Sequence, residues 1–123
     1  MREVAWVGVG GFAGAVARYL LGGWIAARFG TAFPYGTFVI NITGSFILGL
    51  IMGTLEGRVL SPVVRLAVAI GFVGAYTTFS TWTYETMRLL EDGSWQLAIA
   101  NVFGSLLAGM VAVISGLTAG RAL

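Results

Sequence analysis

The chain has 123 residues, 58% of them hydrophobic and only 10% charged, with seven Arg, no Lys and five acids giving a net charge of +2. Soluble domains carry about 25% charged residues, so this is the composition of a membrane protein, and its few scattered cations give no basis for nucleic-acid binding. There is neither Cys nor His, which excludes disulfides, thiolate chemistry, ordinary zinc or copper sites and the usual nucleophile–base pairs of enzymes.

Four apolar runs are long enough to cross a bilayer, which needs about 20 residues each: roughly 4–27, 37–55, 64–88 and 96–119. The first is long and continues as a full span, so it reads as a membrane helix rather than a cleavable leader. The connections are short and hold the turn chemistry: Gly30 to Gly36 with Pro34, Gly57 to Pro62, and Glu91-Asp92-Gly93-Ser94. Trp6, Trp24, Tyr35 and Trp95 fall near span ends, where amphipathic rings anchor at the headgroups. The expected fold is therefore an all-α, multi-pass protein of the cell (inner or plasma) membrane, one four-helix transmembrane domain over residues 1–123.

With four spans, both termini and the second loop share one side, which carries Arg2, Arg58, Arg65 and Arg121; the other carries Arg28 and Arg88. This is a weak bias by the positive-inside rule. It permits insertion both ways up, hence an antiparallel dimer, as well as one ordinary orientation. Small residues recur at four-residue spacing (Gly10 and Gly14, Ala13 and Ala17, Gly49 and Gly53, Ala108 and Ala112, Gly116 and Gly120), which lets helix backbones approach closely in lipid. Four short helices leave little room for a pore within one subunit, so oligomerisation is expected.

The third run changes character midway. After Gly71 and Gly74, five hydroxyls (Thr77, Thr78, Ser80, Thr81, Thr83) fall within seven residues. Hydrocarbon penalises unpaired polar groups. Either the helix is broken near the bilayer midplane, freeing carbonyls for a cation and N–H groups for an anion, or it continues and its hydroxyls bond back to the i−4 carbonyls.

The spans hold no carboxylate before Glu85, which argues against a cationic substrate, since proton-coupled cation exporters need a buried acid. The buried polar inventory is donor-rich (Arg18, Asn41, Ser45, Thr77, Thr78, Ser80, Thr81, Asn101, Ser105) and suits an anion. Thr37, Asn41 and Ser45 share one helical face at i, i+4, i+8, as a pore-lining stripe or as interhelical hydrogen bonding; Asn101 and Ser105 pose the same choice. Phe79 and Trp82 share a face and offer either positive ring edges to an anion or plain packing. Arg18 either snorkels to an interface or sets a positive field at a pore mouth. Glu85 and Arg88, at i, i+3, read as a helical ion pair near the membrane surface.

Three segments together resemble the Fluc/CrcB fluoride channel family: Gly10-Gly11-Phe12-Ala13-Gly14-Ala15-Val16-Ala17-Arg18-Tyr19, similar to its GGxxGAxxRY; Gly36-Thr37 followed by Asn41, Gly44, Ser45 and Phe46; and Gly71-Phe72-Val73-Gly74 followed by Thr77-Thr78-Phe79-Ser80-Thr81 and Glu85. Their order and spacing agree over essentially the whole chain. The resemblance implies passive, selective export of fluoride through two pores of an antiparallel dual-topology homodimer. It implies a structural Na⁺ at the dimer centre, held by the Gly74 and Thr77 carbonyls of both subunits at a break in the third helix. It places Asn41, Phe79, Ser80 and Thr81 at the pore and Arg18 near the wide aqueous entrance. Two positions depart from the family: Trp82 stands where a second phenylalanine is usual, and Asn101, four residues before Ser105, stands where a tyrosine is frequent. Ser105 remains a pore candidate. A small dual-topology, proton-coupled multidrug-type transporter and a non-conducting scaffold subunit are the alternative readings of the same composition.

Overall fold

A computed structural model describes residues 1–57 and 60–123; Arg58, used above in the charge asymmetry, lies outside the described residues. Helix α1 spans Arg2–Phe29, α2 Tyr35–Gly57, and α6 Trp95–Ala122. Between α2 and α6 the third span, Pro62–Glu91, is composite. It starts with α3 (Pro62–Val64), widens into a π-helix over Arg65–Val73, tightens again in α4 (Gly74–Tyr76), and resumes as α5 (Phe79–Glu91). All four spans are long and apolar enough to cross a bilayer, and between 11% and 28% of each most apolar window is buried within the subunit. The protein is thus a multi-pass membrane protein whose apolar side chains mostly face outward.

The element ends follow local chemistry. The α1 helix stops where Gly30 adopts φ 80° and its N–H closes on the Ala26 carbonyl, a left-handed conformation glycine enters freely. Pro62 opens α3, with Ser61 Oγ accepting from the Val64 N–H at 3.3 Å. Gly93, at φ 76°, turns the chain between α5 and α6.

Glycines decide which helices touch. The α2 and α6 helices pack along their length through facing glycines. A Cβ on Gly49 would stand 2.4 Å from the Val113 carbonyl oxygen, and one on Gly116 would stand 2.2 Å from that of Phe46. Gly53 and Gly120 repeat the contact one turn on. The second seam joins α1 to the π-helix: a Cβ on Gly10 would meet the Ala67 carbonyl, and one on Gly14 would come within 2.2 Å of the Phe72 oxygen. Backbones this close gain dispersion contacts that lipid does not supply to larger faces. Replacing Gly116 by valine is expected to force α2 and α6 apart, at a cost of about 3 kcal/mol or more, and to reduce the yield of monodisperse protein on size-exclusion chromatography in detergent.

A bidentate contact closes the far end of the α2–α6 pair: Arg121 donates to Glu56 through Nε (2.6 Å) and Nη2 (3.0 Å). The other ion pair among the described residues is Arg88 with Glu91, at 2.9 Å. This corrects the expected Glu85–Arg88 pair. Glu85 turns inward to α2, where Thr37 Oγ1 donates to its Oε1 at 2.8 Å, while Arg88 and Glu91 share the exposed side of α5.

Candidate functional site

The site is built around the two residues that separate α4 from α5. Thr77 (φ −78°, ψ 156°) and Thr78 (φ −148°, ψ 116°) carry extended backbone in mid-span. Such a step strips peptide groups of their helical partners, and each must find another in a place without water. In an uninterrupted α-helix the Thr78 N–H would close on the Gly74 carbonyl; here it donates to Asn41 Oδ1 at 2.8 Å. Asn41 Nδ2 returns a bond to the Thr78 carbonyl at 3.1 Å. The Asn41 amide therefore clasps the N–H and the C=O of one residue, bridging the two peptide units that flank Thr78, and the backbone N–H fixes which end of the amide is oxygen.

The side chain of Thr78 restarts the helix. Its Oγ1 accepts from the Thr81 N–H at 3.2 Å and donates to Thr81 Oγ1 at 2.9 Å, an N-cap of the kind Ser and Thr supply. The Thr81 N–H is thereby diverted from the Thr77 carbonyl. At this step the carbonyls of the last turn before Thr78 lose their α-helical donors, those of Gly74 and Thr77 among them. Thr77 anchors the other end, its Oγ1 donating to the Val73 carbonyl at 2.9 Å. Tyr76, 5% exposed, holds the segment before the step: its hydroxyl lies 2.8 Å from Thr43 Oγ1. A Cβ on Gly44 would collide with the Thr77 methyl and crowd the Tyr76 ring, so α2 admits this turn only at glycine.

Two clefts meet at Thr78, which lines both. The smaller, about 300 Å³, is a groove lined by Asn41, Ser45, Thr77, Phe79, Trp82 and Ser105 among others, and by no ionisable side chain. The larger, about 730 Å³, takes in Arg18, Thr37, Thr81, Glu85, Arg88 and Asp92. Arg18 has no ion pair among the described residues, so its charge is uncompensated by contact. Glu85 Oε2 is buried with no hydrogen-bond partner among them.

Of the residues singled out from sequence, Asn41, Phe79, Trp82 and Ser105 come together in the groove, and Arg18 and Thr81 in the wider cleft. Ser80 and Gly74 are exposed and line neither. Within the polar face of α2, Asn41 and Ser45 line the groove, whereas Thr37 binds Glu85. In α6 the choice between pore and glue divides the same way. Ser105 lines the groove, and Asn101 is fully buried, with its Nδ2 donating to Thr86 Oγ1 at 2.9 Å. Trp82 Nε1 donates to the Asn101 carbonyl at 3.2 Å, so the indole N–H is already engaged. The rings of Phe79 and Trp82 lie 5.6 Å apart, tilted by 50°. Thr43, Tyr76 and Thr86 were not singled out as site residues; the cross-helix partners of their hydroxyls are set only by folding.

Residues 5–117 match the family model described as CrcB-like protein, Camphor Resistance (CrcB). The chain is similar to proteins named fluoride-specific ion channel FluC. The one from Acidobacterium capsulatum is 50% identical over 117 residues, covering 94% of both chains. The one from Geotalea uraniireducens is 47% identical over 124 residues, 100% of both, and the one from Koribacter versatilis is 48% identical over 115 residues, 93% of this chain and 91% of the relative. The chain belongs to the CrcB family.

Proposed function

We propose that this protein is a fluoride-selective channel that conducts the ion passively down its electrochemical gradient, exporting it from the cytoplasm. The observation that carries the reading is the uncharged groove, which sets the Asn41 amide, the Ser45 and Ser105 hydroxyls and the rings of Phe79 and Trp82 together at mid-span. The printed names of the similar proteins support it. Fluoride is small and strongly hydrated, so a dry passage must replace its water with closely spaced donors and ring edges. Arg18 and Thr81 in the wider cleft would attract and receive the ion. One Nδ2 hydrogen of Asn41 remains after the clasp on Thr78 and would face it in the groove. Ser80, exposed and outside both clefts of the subunit, would add its hydroxyl only where a second copy completes the path.

The functional unit is an antiparallel dual-topology homodimer with the third helix broken near the midplane. Phe79 is 74% exposed in the single subunit, and a second copy would close that open side. Gly74, also exposed, would lie against the partner. The Gly74 and Thr77 carbonyls, both relieved of their α-helical donors, suit a Na⁺ ion shared by the two copies, which oxygen ligands of this kind hold. Na⁺ there would neutralise the two carbonyl ends.

The test is fluoride efflux from proteoliposomes containing this chain alone, read with a fluoride electrode. Rapid fluoride loss without chloride loss is expected. No fluoride release, or equal release of both halides, ends the proposal; uptake of a cationic drug driven by a pH gradient would favour the multidrug-type transporter instead. Preparing protein and liposomes with a large organic cation in place of Na⁺ is expected to lower both dimer recovery and efflux. Equal assembly and equal conductance in the two media would remove the sodium site.

A further inference from the structure

Asn101 is a polar side chain at 0% exposure in the middle of an apolar helix, and its partners form a closed circuit. The Trp82 indole N–H donates to the Asn101 carbonyl (3.2 Å), Asn101 Nδ2 donates to Thr86 Oγ1 (2.9 Å), and Thr86 Oγ1 donates to the Trp82 carbonyl (2.8 Å). Ser105 Oγ, in the groove, reaches Asn101 Oδ1 at 3.4 Å. Two hydrogen bonds thus tie one turn of α5 to α6 and a third closes the circuit within α5, and the residue they orient is the one whose ring lines the groove beside Phe79.

We propose that Asn101 is a positioning residue for the permeation path, holding the Trp82 indole with its N–H bound to α6 so that Trp82 presents ring edge, and no hydrogen-bond donor, to the ion. The inference rests on the channel reading. A free indole N–H in a dry groove would make a charge-assisted bond to fluoride, and a site that binds an ion strongly slows its departure. Binding that N–H to a backbone carbonyl satisfies it without a second ionic site. It also fixes the plane of a ring larger than the neighbouring phenylalanine. Asn101 does this through Thr86, whose hydroxyl can accept from the amide while donating to the Trp82 carbonyl.

The first arm of the test does not depend on conduction. Tryptophan-labelled protein in lipid bicelles shows four indole N–H signals, one per Trp, with Trp82 assigned by its absence in Trp82→Phe. The Trp82 N–H is expected to exchange with solvent deuterium at least about tenfold more slowly than those of Trp6, Trp24 and Trp95, as buried hydrogen-bonded protons do. Asn101→Leu, or the isosteric Thr86→Val should the former not fold, is expected to reduce that protection several-fold, because the accepting carbonyl is backbone and stays while the side-chain tie that holds α5 against it is lost. The second arm is a double-mutant cycle on fluoride efflux. Asn101→Leu or Thr86→Val is expected to slow efflux about fivefold, the scale of one lost hydrogen bond, but to leave the rate of Trp82→Phe within about twofold of its own value. An unprotected Trp82 N–H in the native chain, protection undiminished by both substitutions, or losses that multiply in the double variants would each overturn the proposal. A native chain that passes no fluoride defeats the channel reading and leaves the exchange arm to decide the positioning.

Discussion

Asn41→Ala is expected to lower fluoride efflux by roughly 30- to 100-fold while the dimer still assembles. The amide does two things that alanine cannot. It supplies the N–H facing the groove, and it replaces the helical partner of the Thr78 N–H, a residue only 8% exposed. Removing it leaves that N–H buried and unpaired, a cost of about 1–3 kcal/mol. The chain's response is to slide Thr78 toward a helical bond with Gly74, closing the step on which both clefts converge. Since each 1.36 kcal/mol is a factor of ten in rate, a penalty of 2–3 kcal/mol gives roughly that loss. Asn41→Asp separates the two roles. Aspartate keeps an oxygen for the Thr78 N–H, so the step is retained, yet it places a like charge in the groove and removes the donor. Efflux from Asn41→Asp is therefore expected to fall at least as far as from Asn41→Ala. Native rates in both variants would place the ion's path elsewhere.

What was legible in the sequence was whatever lipid forces to be local. A span must be about 20 apolar residues whatever it packs against, so the four runs were readable, and the glycine pairs marked faces where backbones could approach, while the pairing of α2 with α6 and of α1 with the π-helix came only with the fold. The dense hydroxyls of the third span were readable as a problem but not as a solution. Thr77 and Thr83 bond back to carbonyls on the preceding turn, while Thr78 caps the start of α5. Which threonine does which depends on Asn41, 37 residues away. The π-helix was not legible, because Arg65–Val73 is an apolar run like any other and its wider register is matched to contacts made by α1. Nor was the inward turn of Glu85: helical spacing put Glu85 and Glu91 equally within reach of Arg88, and the Thr37 hydroxyl on α2 takes Glu85. The role of Trp82 shows the same limit, since a sequence gives the indole its N–H but not the carbonyl that takes it.

Phe79→Ile is expected to slow fluoride efflux by at least about tenfold, and this substitution isolates electrostatics from packing. Phe79 is 74% exposed within the subunit and anchors no core there, so isoleucine leaves no cavity in the subunit fold; because a second copy would cover the ring, dimer recovery on size-exclusion chromatography is read alongside efflux and is expected to stay native. The two side chains are similarly apolar; what isoleucine lacks is the ring quadrupole, with its positive rim. In a groove without an ionisable side chain, that rim acts with the Trp82 ring edge and the few donors of Asn41, Ser45 and Ser105 to oppose the loss of fluoride's hydration. An aromatic contact of this type is worth about 0.5–1.5 kcal/mol between neutral groups, and a bare anion in a low-dielectric groove feels the same charge distribution more strongly, which brings the loss to a factor of ten or beyond. Phe79→Tyr keeps the rim and is expected to retain most of the rate. A dimeric Phe79→Ile that conducts at the native rate would mean the ring is a wall rather than a ligand, and selectivity would then have to come from hydroxyl and amide donors alone.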